Sequence, residues 1–148
     1  MADLKDNIKA SGTLLIQLFD KDGNLKLERE EKNLVVTTGL SFIASRMKDA
    51  TATVMSHMAI GSSSTAAALG NTTLGTELGR SALTSTTVTT NATQYIASFG
   101  PGVGTGNVVE AGIFNAASAG TMLNRSVFGI ITKDATDSLQ ITWTVTIS

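Results

Sequence analysis

The sequence predicts an all-β fold, an antiparallel β-sandwich or jelly-roll-like domain with one short helix, and three observations carry that expectation. In the last run, Ser138 to Ile147, the residues Leu139, Ile141, Trp143, Val145 and Ile147 alternate with Gln and Thr. That is the period-two signature of a strand with one buried and one wet face. Two short apolar runs, Val108–Asn115 and Thr121–Phe128, precede it around the small-residue turn Ala116–Gly120, and the three together read as an antiparallel meander whose last strand is central to the core. Only one stretch of the chain switches convincingly to helical spacing.

In chain order, Met1–Ala10 is weakly patterned and reads as an N-terminal arm, leaving residues 11–148 as a single β domain. Ser11–Phe19 is a strand, Asp20–Asn24 a turn with the Asp-Gly signal, and Leu25–Asn33 the returning strand, whose charged outer face suits a guarded sheet edge. Leu34–Val36 continues as strand. The helix is expected over about Thr38–Lys48, capped near Thr37–Gly39, with Leu40, Ile43, Ala44 and Met47 on its buried face. Met55–Gly61 is a strand. Ser62–Thr76 is a long loop with Leu69, Leu74 and Leu78 as anchors. Arg80–Thr90 and Thr93–Phe99 form a Thr-rich hairpin, and Gly100–Gly106 turns the chain into the meander. The count comes to about eight strands and one helix.

Length and charge narrow the function classes. A chain of 148 residues holds one domain with a real core. Eleven basic and twelve acidic residues give a net charge of -1, so there is no basic field for nucleic acid and no polybasic patch for a membrane. No run approaches the roughly 20 apolar residues that span a bilayer, and the first residues lack the pattern of a secretory signal. The reading is a soluble protein made in a cytoplasm. With no cysteine there is neither a disulfide framework nor a thiolate site.

The distribution of charge is more telling than its sum. From Ala50 to Asn124 the only charged residues are Glu77, Arg80 and Glu110, and Ser, Thr, Gly, Ala and Asn fill the polar positions. A typical domain is about a quarter charged. Disordered chain is rich in charge and proline, whereas this stretch is rich in β-branched residues. It therefore reads as folded chain that packs against other protein.

No catalytic set assembles, and no small-molecule substrate, cofactor or metal is expected. Asp20, Asp22, Asn24, Glu28 and Glu31 fall at calcium-loop spacing, but Leu25 replaces the required glycine, and a hairpin turn accounts better for the pattern. Gly100–Gly106 fits neither phosphate-binding fingerprint. His57, the single imidazole, sits in an apparent buried strand. Glu77 and Glu110 are isolated carboxylates, with Arg80 a local partner for Glu77. The chain is expected not to be an enzyme.

Four segments together resemble small structural proteins of tailed bacteriophages: Met58–Gly61, Leu74–Arg80 (Leu-Gly-Thr-Glu-Leu-Gly-Arg), Val108–Asn115 and Leu139–Val145 with its Trp-Thr-Val. The likeness covers about Asn33 to Ser148. It implies a virion protein, either a capsid decoration (cement) protein or, as the alternative, a tail-fibre or baseplate module recognising a host surface. The compact single domain favours cement. The implied partners are the major capsid protein and further copies of the chain, as a homotrimer on the capsid surface.

Overall fold

The computed structural model describes residues 7–148. Ten strands and one helix succeed one another as β1 (Ala10–Phe19), β2 (Leu25–Lys32), β3 (Leu34–Val35), α1 (Thr37–Ser45), β4 (His57–Gly61), β5 (Glu77–Ala82), β6 (Ser85–Thr89), β7 (Ala92–Phe99), β8 (Gly106–Phe114), β9 (Met122–Lys133) and β10 (Ser138–Ile147). They form two five-stranded sheets, sheet A in the order β2-β1-β10-β7-β6 and sheet B in the order β3-β9-β8-β4-β5. Every pairing between strands is antiparallel. The fold is all-β, as expected, with the apolar faces of the two sheets enclosing one core. Residues 1–6 of the expected arm lie outside the described residues. Lys9 exchanges two backbone hydrogen bonds with Ser148, and β1 begins at Ala10.

The alternating residues of β10 behave as their period demands. Leu139, Ile141 and Trp143 are wholly buried, and the strand is the central one of sheet A. The expected three-stranded meander is corrected, however: β8 and β9 pair in sheet B, while β10 crosses to sheet A and lies between β1 and β7. Period-two patterning fixes which residues face inward and says nothing of which sheet a strand joins. The Arg80–Thr90 run is likewise not one strand. It breaks at Leu83 and Thr84, whose N–H groups donate to Ser56 in one direction and Ile96 in the other, so β5 stays in sheet B and β6 moves to sheet A. The β6–β7 hairpin itself is present, turning at Thr90 and Asn91 with Thr90 at φ 52°.

The helix also differs in detail, ending at Ser45 and continuing as a turn to Lys48. Thr38 does not cap it, since its Oγ1 donates to the Met122 carbonyl. The buried face is set by Gly39, Phe42 and Ile43, whereas Leu40 is exposed and Met47 is 87 % exposed. Close approach explains the rotation, because a Cβ on Gly39 would overlap the carbonyl of Leu123 on β9.

Between β2 and β3 the chain changes sheets at Asn33. Its Oδ1 accepts the Nε1–H of buried Trp143 at 2.6 Å, and Gly12 leaves the space that the amide occupies. At the Gly100–Gly106 turn two backbones meet: a Cβ on Gly79 would lie 2.7 Å from the nitrogen of Gly104.

Candidate interaction surface

The two sheets treat their outer faces differently. On sheet B, every residue of β8 from Val108 to Phe114 and of β9 from Met122 to Ser126 is buried. Helix α1 and the long loop between β4 and β5 lie over them, and Val36, Ala59, Leu74, Phe114 and Met122 form a small second core beneath this cover. Leu74 is the anchor that the sequence suggested; Leu78 packs partly against the main core, and Leu69 is exposed.

The cover is fastened by charge. Glu110, wholly buried on β8, accepts the backbone N–H groups of Ser63 at 2.7 Å, Gly75 at 2.7 Å and Thr76 at 2.9 Å. Arg125 on neighbouring β9 donates its Nε–H to the same carboxylate at 3.2 Å and its Nη1–H to Asn71 in the loop at 3.1 Å. Burying a polar carboxylate without such donors around it would be costly. Arg80 fastens the next loop. Its Nη1 donates to the carbonyls of Ala116 and Ala119, it pairs with Glu77 at 2.7 Å, and its guanidinium lies 3.9 Å from the centre of the Phe114 ring.

Among the described residues, sheet A has no such cover. Its pleat sends Leu14, Ile16, Tyr95, Ala97, Leu139, Ile141 and Trp143 inward, so their neighbours look out. The register aligns the outward residues in rows across four strands: Thr89, Ala92, Thr146 and Ser11; then Thr87, Gln94, Thr144 and Thr13; then Ser85, Ile96, Thr142 and Leu15; and finally Ser98, Gln140 and Gln17. None is charged. Charge borders the rows at Lys9, which precedes Ser11 by two residues and pairs with Ser148, and where they reach β2, at Lys32, Glu30 and Glu28, with Gln17 donating to the Glu28 carboxylate at 3.0 Å.

The residues weighed for chemistry fall elsewhere. The Asp20 carboxylate accepts the N–H groups of Asp22 and Asn24, both at 2.9 Å, so it shapes the hairpin turn; these bonds, chiefly that from Asn24, hold its pKa below the ordinary carboxylate value. Glu28 and Glu31, three residues apart on β2, point to opposite faces. His57 Nδ1 is hydrogen-bonded to Ser56 Oγ at 2.8 Å, and among the described hydrogen bonds no third group orients the ring. Glu77 and Glu110 flank Gly61 in one row, two strands apart, a proximity created by strand pairing alone. Each already has partners, Glu77 in Arg80 and Glu110 in the loop and Arg125.

Arg125 was missed by sequence reasoning. Its signal was a lone cation in the run Met122–Phe128, following a lone carboxylate in the preceding run; the register sets the two diagonally, Arg125 facing Gly112 and Glu110 facing Val127. No family model, no curated protein and no solved structure matches this chain.

Proposed function

We propose that this chain is a structural protein of a tailed-bacteriophage virion, a capsid decoration (cement) protein that bridges neighbouring major capsid subunits and stiffens the shell. The observation that supports the reading best is the uncovered outer face of sheet A, four strands wide and free of charge. Hydroxyl and amide groups lose less than ions when water leaves, and each has donors or acceptors to offer a facing protein. A surface kept soluble by charge would instead carry both signs interspersed.

The fate of the three charges between Ala50 and Asn124 points the same way. Glu110 and Arg80 turn to loops of their own chain, and Glu77 pairs with Arg80 at the β5 edge of sheet B, so none of the three charges lies on the outer face of sheet A. Many copies on one shell make modest individual contacts sufficient, since each bond strengthens the next through effective concentration. Trp143, the side chain best suited to stack on a sugar, lies in the core, which favours adhesion over recognition of a host glycan by a tail module.

The test is to strip or delete the protein from particles and add it back. Wild-type protein should raise the temperature at which the shell opens, and Thr144→Lys, which puts a charge in the middle of the face, should not. Particles whose opening temperature ignores the wild-type protein would remove the basis of the proposal.

A further inference from the structure

The two sheets have four edges, β2 and β6 in sheet A, β3 and β5 in sheet B. Three are protected against pairing with another strand. Strand β2 carries Lys26, Glu28, Arg29, Glu30, Glu31 and Lys32 among its eight residues, β3 is two residues long, and β5 holds the Glu77–Arg80 ion pair. Strand β6, Ser85-Thr86-Thr87-Val88-Thr89, has no charge, no proline and no break in register with β7, and all five residues are exposed.

Beneath this edge lies a largely apolar groove of about 440 Å³ where the sandwich opens against α1, lined by Phe42, Ile43, Val54, Met55 and Tyr95 with one charged residue, Arg46, among them. Thr86 and Val88 form its upper rim, and Val88 is 71 % exposed. A flat, uncharged edge above an apolar groove has the two parts of a strand-addition site, main-chain groups for affinity and a hollow for alternate side chains.

From this arrangement we infer that β6 is a self-association edge and that its occupant is β6 of a second copy, antiparallel across a two-fold axis near Thr87. That register sets Ser85 opposite Thr89 and Thr86 opposite Val88 of the second copy. No like charges meet, and both valines close over the grooves. The same residues serve both partners, so the contact closes at two copies. A trimer, the association that the resemblance implies, would require β6 to meet a different edge, and each of those is charged or very short. The pairing rests on the edge alone. Its use rests on the proposed function: joining two A sheets would merge their uncharged faces into one continuous adhesive surface.

Sedimentation of the full chain at micromolar concentration tests the inference. The expected mass is twice 15.3 kDa. Val88→Lys, which changes a side chain that is largely in solvent already, should halve that mass by weakening the pair at least tenfold, and Met47→Lys, the same charge change away from the edge, should leave the dimer intact. A wild-type monomer or trimer, a Val88→Lys dimer, or a Met47→Lys monomer would each overturn the pairing. Particle stabilisation by add-back is a separate readout, so the dimer can fail while the cement reading stands, and the reverse.

Discussion

The outer faces of sheet B and sheet A both draw strands from the charge-poor stretch Ala50–Asn124, β4, β5 and β8 in one and β6 and β7 in the other, yet among the described residues one is roofed and the other is bare. The difference lies in where the few charges go. Glu110 and Arg125 hold the Ser62–Thr76 loop over sheet B, and Arg80 holds the Ala116–Ala119 turn beside it. The outward rows of β1, β10, β7 and β6 carry no charge from Ser11 to Gln17, and among the described residues no charged side chain fastens a loop over them. Glu110, Arg125 and Arg80 therefore act as fasteners inside the molecule, and the face left open on sheet A is one that suits contact with protein more than with water.

The strongest way to break the contrast is to release the roof. Glu110→Ala would leave Arg125 buried without its partner and three loop N–H groups unbonded, a change that should cost about 3–5 kcal/mol in urea unfolding. Amide exchange of Ser63, Gly75 and Thr76 should speed up in the same variant. Gly39→Ala should come next, at about 2 kcal/mol, because the added methyl pushes α1 off the Leu123 carbonyl.

A smaller, pH-dependent effect belongs to the tie between the guarded edge and the turn before β10. Lys26 donates to Asp137 at 2.8 Å, and that bond first, with the Asp134 N–H behind it, holds the Asp137 pKa below its ordinary value. A depressed carboxylate contributes stability above its unfolded pKa of about 3.9, and the contribution is lost as pH falls through the folded value. Asp137→Asn should thus lower the melting temperature at neutral pH and converge on the wild type in acid. A constant gap across that range would show that the ion pair is not the cause. The smallest effect should come from Thr144→Lys, within about 0.5 kcal/mol of wild type, because this side chain lies on an outward face and makes no hydrogen bond among the described residues. A large loss there would mean that the bare face is part of the fold and not reserved for a partner.

How much of this was legible in the sequence depends on whether the cause is local. The β1–β2 hairpin was, because Asp20 and Gly23 write the turn into the chain: Gly23 takes φ 82° and Asp20 caps it. The central place of β10 was readable from five alternating apolar residues. The sheet to which β10 belongs was not, since its pattern fits either. The break at Leu83–Thr84 was hidden inside an unbroken β-branched run, because what splits it are two bonds to residues far away in sequence, Ser56 and Ile96. The helix face was misread because Gly39, the residue in closest contact, has no side chain to count. For the surface, the scarcity of charge was plain in the sequence, while the inward use of Glu110 required its neighbour Arg125 and the loop backbone to be seen together.

The most direct measurement is a reconstruction of purified particles that contain this protein. The account predicts many copies spread over the shell, with the face bearing Thr87, Thr142 and Thr144 pressed against capsid subunits. Copies confined to the tail, or a shell-bound protein with that face turned to open solvent, would contradict it.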